Sequence, residues 1–221
     1  MSVTLQPICQ NELPILYIDQ DLILVNKPSG LLSVPGRDPQ HYDSVYSRLL
    51  NHYDEIHVVH RLDMDTSGVM VMARHKEALR HLSRQFQQRR VNKHYIAWVD
   101  GQLQPSAGEV DLPLRCDWPN RPLQMVDMLL GKPSLTRYEA VHYDQHRNAT
   151  LVQLYPHTGR SHQLRVHMAA LGHPILGCRF YAHEQALAKA SRLQLHAEFL
   201  GILQPSTNLP LSQQAGADHF L

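Results

Sequence analysis

The 221-residue chain contains no apolar run long enough to cross a bilayer, so it carries no helical membrane span. Its first residues, Met1 to Asn11, lack a basic stretch followed by an apolar one, and no signal peptide is expected. Cysteine is scarce. Cys9, Cys116 and Cys178 are widely separated, an odd count without paired spacing, which argues against a disulfide framework or a zinc finger and for a reducing cytoplasm. His157, His162, His167 and His173 crowd one segment ahead of Cys178, but no His-Glu-x-x-His pattern or cysteine pair accompanies them, so no metal site is expected. Gly30 and Gly36 do not make a nucleotide-binding loop. Repeats and low-complexity tracts are also absent.

Acidic residues are missing from one long stretch. Between Gln145 and His183 there is no Asp or Glu, while Arg147, Arg160, Arg165, Arg179 and six histidines fall there. A second basic stretch, Arg74 to Lys93, holds seven Lys or Arg against Glu77 alone. In a chain whose net charge is only +1, two such stretches fit a polyanion footprint. A solvated helix face explains the first stretch equally well.

The length suits one large domain, or one domain with a small appendage, and hydrophobic residues make up 43% of the chain, which supports a genuine core. Strands are expected at 15–18, 22–25, 69–73, 95–99 and 193–200, with a hairpin of 136–142 and 149–155. Helices are expected at 43–53, capped by Asp43 or Ser44, and at 76–90, with Leu79, Leu82 and Phe86 on its apolar face. A third runs from about Gly159 to Leu171, capped by Thr158 and stopped by Gly172 and Pro174. Residues 102–133 read as loops and short strands, and the chain after Gln204 as loop or loosely held tail. Short connections exclude a run of βαβ crossovers. The expected class is therefore α/β of the α+β kind, a mixed and mostly antiparallel sheet with helices beside it.

The densest chemistry is His60-Arg61-Leu62-Asp63-Met64-Asp65-Thr66-Ser67-Gly68, a polar loop between two strands. Asp63 reads as a nucleophile, a base or an ion-pair member, with Arg61 as one available partner. Asp65, Thr66 and Ser67 read as turn residues, and Gly68 as a positive φ or a close approach. Arg165 falls on the third helix one turn after His162, with Leu164, Met168 and Leu171 forming its core stripe. On periodicity alone, an exposed surface arginine is the better reading. Tyr95 reads as a core aromatic, with base stacking as the sharper alternative.

Taken together, these segments resemble the RluA-type pseudouridine synthases. The resemblance rests on Asn26-Lys27-Pro28-Ser29-Gly30-Leu31, on His60-Arg61-Leu62-Asp63 with Thr66-Ser67-Gly68, and on Lys93-His94-Tyr95-Ile96-Ala97. It rests also on Thr158-Gly159-Arg160-Ser161-His162-Gln163-Leu164-Arg165-Val166-His167-Met168, continued by Gly172 to Gly177. It implies an isomerase that breaks the ribose C1′ to uracil N1 bond of a uridine in RNA, turns the base and rejoins it through C5. No cofactor or metal is implied, because the reaction is neither redox nor hydrolytic. Carried over by position, Asp63 is the catalytic carboxylate, with attack on C1′, addition to C6 and removal of the 2′ proton all open. Arg165 is its ion partner, and Tyr95 stacks on the target base. Arg61 fills the gap left by the flipped base, and Leu164 walls the pocket. His60, Arg84, Arg89, Arg90, Arg160 and His162 are expected to contact the substrate.

The implied partner is RNA, neither DNA nor a membrane, and a monomer is expected. The expected organisation is a short segment 1–13 followed by a catalytic domain over 14–221, without the N-terminal RNA-binding module of longer relatives. That short form resembles the enzymes acting on a 23S rRNA stem-loop and a tRNA anticodon loop. The segment Asp111 to Arg121, with Cys116-Asp117-Trp118-Pro119-Asn120-Arg121, strengthens the match. Trp118 and Arg121 in it suit RNA, although a buried tryptophan is the commoner case. Cys178 stands where an aspartate is expected, a difference read as touching no assigned role. A catalytically inactive RNA-binding protein of the same fold is the alternative, and a hydrolase using Asp63 with Asp65 is a third.

Overall fold

The computed structural model describes residues 12–217; Cys9 and most of the expected segment 1–13 lie outside the described residues. In chain order the strands are β1 (Ile15–Ile18), β2 (Leu22–Lys27), β3 (His57–Val58), β4 (Ser67–Ala73), β5 (Asn92–Asp100) and β6 (Ala107–Asp111). They continue with β7 (Leu114–Cys116), β8 (Gln124–Val126), β9 (Leu135–Asp144), β10 (Ala149–Pro156), β11 (Leu195–Leu203) and β12 (Pro210–Gln214). The helices are α1 (Val45–Leu50), α2 (Lys76–Gln87), α3 (Gln163–Ala170) and α4 (Glu184–Ala188). The chain forms two compact units, 12–92 with 197–216 and 93–196 with 217. The α+β class read from the sequence holds.

In the first unit the strand order is β1-β2-β4-β11, with β12 beside β11 and β3 beside β4. The β1·β2, β2·β4, β3·β4 and β11·β12 pairs are antiparallel. Leu22 to Val25 and all of β4 are buried, because these strands are covered on both faces. α2 lays Ala78 and Leu82 onto Leu22, Leu24, Val69, Val71, Leu200 and Ile202, with Leu79 and Phe86 at the margin. The imidazole of His75 caps it by accepting from Ala78 N–H. It ends at Gln87, three residues earlier than expected, and Arg89 adopts the left-handed conformation (φ 57°) that closes helices. α1 begins at a reciprocal Ser44–Ser47 capping box.

The tail after Gln204 is not loose. β12 pairs with β11, and Gln204 and Ser206 bind the buried carboxylate of Asp21. The Asp21 contacts reach about 185 residues back along the chain, beyond any local pattern.

In the second unit the order is β5-β10-β9-β6, with β7-β8 as a separate two-stranded sheet. β5 alternates. Ala97 and Val99 join a core with Val152, Leu154, Leu164 and Met168 of α3, while Ile96 and Trp98 join another with Leu151, Leu176 and Ala186 of α4. The hairpin of β9 and β10 pairs Tyr143 with Thr150 and Thr136 with Pro156, as expected.

Candidate active site

In the first unit, β3 and β4 are the two strands that flank the Asp63 loop. Asp63 is half-buried in a turn closed by Thr66 N–H donating to the Asp63 carbonyl at 3.1 Å. Its neighbours' carbonyls are fixed from the Asn26–Leu31 segment and the residues just after it. The Ser33 hydroxyl donates to Leu62 O at 2.7 Å and accepts from Leu62 N–H at 3.0 Å. Lys27 Nζ donates to Met64 O at 2.8 Å, Gly30 N–H donates to the same oxygen at 2.9 Å, and the Ser29 hydroxyl donates to Asp65 O at 2.7 Å. Lys27 has no exposed surface and also donates to Pro28 O and Leu31 O. Gly68 has φ 116°, and a Cβ there would stand 2.2 Å from Ala197 O, so both expected reasons for glycine apply. Lys27, Ser29 and Ser33 received no role from sequence reasoning. For Lys27 and Ser29 the signal was the match of the Asn26–Leu31 segment itself; Ser33 lies just beyond it.

Arg61 is exposed. His60 accepts Val71 N–H on Nε2 at 3.1 Å and stacks on Phe86 at 4.7 Å, contacts that brace the strand beside the loop. Arg84, Arg89 and Arg90 are exposed, as are Lys76 and Arg80, so α2 and the turn after it carry basic side chains outward.

In the second unit, Arg165 is only 2% exposed, which overturns the surface-arginine reading. Its guanidinium carbon lies 5.1 Å from the Phe180 ring and 5.3 Å from the Tyr181 ring, and its Nε donates to Cys178 Sγ at 3.3 Å. Cys178 therefore does touch an assigned residue, contrary to expectation. The contact became possible because the turn after α3 folds the Phe180–Tyr181 segment back onto the helix. Tyr181 and Phe180 were missed by sequence reasoning; two adjacent aromatics right after the last motif were the available signal.

α3 is shorter than expected at its N-terminus. His162 precedes it with φ 53°, and no side chain caps it. The Thr158 hydroxyl is committed elsewhere, donating to Gln163 Oε1 at 2.7 Å and accepting Leu135 N–H at 3.0 Å. His162 bonds the Tyr181 hydroxyl through Nδ1 at 2.6 Å, so His162 and Arg165 meet at Tyr181. Leu164 is buried in the core against which Tyr95 packs, and Cys178 belongs to that core too. Tyr95, Leu164 and Arg165 thus share one neighbourhood. Arg160 is exposed, its Nε donating to Pro133 O at 3.2 Å. Lys93 lies beside Gly159, and burial pushes its ammonium pKa down.

The histidine segment is structural at its centre. His167 is fully buried between Thr136 Oγ1 (2.9 Å) and Leu112 O (3.0 Å), and desolvation lowers its pKa. Among the described residues, no group of three or more His, Cys, Asp or Glu side chains is arranged to hold a metal ion. None of their helices is long and apolar enough to cross a membrane.

Residues 21–170 match the family described as RNA pseudouridylate synthase. The dual-specificity RNA pseudouridine synthase RluA of Escherichia coli K12 is 56% identical over 206 residues, covering 93% of this chain and 94% of that protein. The enzyme of the same name from Yersinia pestis is 53% identical, covering 92% and 98%. Among solved structures, human RNA pseudouridylate synthase domain containing 1 superposes with a TM-score of 0.79 at 29% identity, covering 100% of this chain and 87% of that one.

Proposed function

This chain belongs to the RNA pseudouridylate synthase family, a family of isomerases, and from that premise we propose that it converts specific uridines to pseudouridine in a 23S rRNA stem-loop and a tRNA anticodon loop. The observation that carries the reading is the fixing of the Asp63 loop. Three carbonyls that flank Asp63, those of Leu62, Met64 and Asp65, are each held by a side chain from Ser33, Lys27 or Ser29. A carboxylate that must meet a flipped-out sugar benefits from such a rigid mount.

The reaction breaks C1′–N1, forms C1′–C5, removes the C5 proton and leaves one on N1. Asp63 supplies the carboxylate. Arg165, buried against the Cys178 sulfur and two rings, supplies the guanidinium that serves as its ion partner. Tyr95 stacks on the extruded uracil, Leu164 closes the pocket behind it, and Arg61 takes the vacated place in the RNA. Arg84, Arg89 and Arg90, with Arg160, His60 and His162, complete the substrate contacts. The catalytic domain spans 14–221 and works as a cytoplasmic monomer.

The test is incubation with a tRNA transcript and with a 23S rRNA stem-loop, followed by carbodiimide mapping of pseudouridine. Wild type should give a site-specific stop. Asp63→Asn should lose it by more than about 10³-fold, with RNA binding retained. An unmodified RNA with wild type would leave the inactive RNA-binding reading standing, and release of free uracil would favour a hydrolase.

A further inference from the structure

Trp118 is 64% exposed, which removes the buried reading of this tryptophan. It sits in the turn between β7 and β8, and the guanidinium carbon of Arg121 lies 4.5 Å from its ring centroid. The turn is built, not loose. Asp117 N–H donates to Leu123 O at 2.9 Å, Leu123 N–H to Asn120 O at 3.0 Å, and the Asn120 amide to Asp117 Oδ2 at 2.9 Å. The acid nearest Trp118 is therefore already engaged. At the other end of this sheet Arg115 pairs with Asp127, whose carboxylate also accepts Leu130 and Leu129 N–H, bonds that lower its pKa.

The sheet is fastened to the surroundings of Arg165. Gln124 N–H, at the start of β8, donates to the Tyr181 hydroxyl at 2.9 Å, and Tyr181 is the residue that meets both His162 and Arg165. A rigid turn thus presents an indole, with a guanidinium on one face, from an element pinned next to a residue assigned to catalysis.

We propose that Trp118 and Arg121 form a stacking site for one unpaired base of the RNA substrate, a base other than the uridine to be isomerised. The indole offers a π-face that any base can use, and Arg121 adds donors that reach the adjoining phosphate. An aromatic face with an adjoining guanidinium is the pairing that single-stranded RNA uses, the ring for a base and the cation for a phosphate. A contact remote from the reacting atoms adds equally to ground state and transition state. It therefore sets KM and leaves kcat alone. The proposal rests on the reading that the substrate is RNA.

Three variants, Trp118→Ala, Trp118→Phe and Arg121→Gln, are to be assayed on a tRNA anticodon stem-loop and on a set of the same loops with one abasic nucleotide each. Trp118→Ala should raise KM by about 5- to 150-fold at unchanged kcat, and Trp118→Phe should recover most of that loss. One abasic position should erase the Trp118→Ala penalty, an outcome a merely structural role would not produce. RNA should also quench the fluorescence of wild type more than that of Trp118→Phe. If Trp118→Ala fails to fold, the Phe and Gln variants with the abasic set decide the matter alone. An unchanged KM, or a penalty identical on every abasic loop, overturns the proposal. Quenching of Trp118 by RNA that is never isomerised would uphold the stacking site and defeat the proposed function.

Discussion

Lys27 shows how much a single residue can fix. Its side chain is wholly buried and donates to Pro28, Leu31 and Met64 carbonyls, so it joins the end of β2 to the residue just after Asp63. Lys27→Met keeps the length of the side chain and removes all three donors. Each buried carbonyl left without a partner costs about 1–3 kcal/mol. Met64 O keeps Gly30 N–H, so the loss falls mainly on Pro28 and Leu31. Lys27→Met is expected to lower the thermal midpoint and to reduce kcat more than it raises KM, because Asp63 loses its mount while the basic surface is untouched. Thermal unfolding and single-turnover pseudouridine formation check this; wild-type values in both would refute the anchoring role. At this scale the sequence was partly readable. Gly68 could be understood locally, because a positive φ and a close approach are properties of one residue. The partners of Lys27 could not, since one of them is 37 residues away.

At the scale of elements, α3 explains why some of the site was hidden. Its stripe of Leu164, Met168 and Leu171 was legible, and it does pack into the core. Periodicity then assigned Arg165 to solvent. In the structure Gln163, Arg165 and His167 are buried as well, each bonded to groups outside the helix: Leu135 and Thr136, Cys178, and Leu112. A helix buried all round carries no amphipathic signal for its polar residues. The Asp21 cluster is a second case. Burial works against its charge, but hydrogen bonds from Ser206, His75 and Gln204 outweigh that cost and hold the carboxyl below the ordinary range. The unfolded carboxyl titrates near about 3.9, so the folded state binds its proton only at lower pH. Stability from this cluster is therefore complete above that value and is lost as pH falls through the folded one. Asp21→Asn should cost about 1–3 kcal/mol at pH 7, and the gap to wild type should narrow below about pH 4. Urea midpoints between pH 3 and 7 measure it; a gap that stays constant down to pH 3 would show that the carboxylate's charge is not what ties the 204–207 turn to β2.

For the molecule as a whole, net charge is a poor guide to what it binds. The sum is +1, yet acids and bases are segregated along the chain, and the structure leaves Arg84, Arg89 and Arg90 exposed on one unit and Arg160 on the other. A charge run on a helix is ambiguous, because a solvated face and a phosphate-binding face have the same composition. Salt separates the two. Each phosphate neutralised releases counterions and adds about 0.7 to 0.9 to the slope of log affinity against log salt, so four arginines imply a slope near −3. Between 50 and 200 mM salt the affinity for a tRNA stem-loop should then fall by roughly 50- to 150-fold. Replacing Arg84, Arg89, Arg90 or Arg160 by Gln should flatten the slope by a little under about one unit each, and should weaken binding to all stem-loops alike. Fluorescence anisotropy across a salt series provides the measurement. A slope near zero, or one that none of the four substitutions changes, would make these arginines ordinary solvated charges and leave RNA affinity to stacking and shape alone.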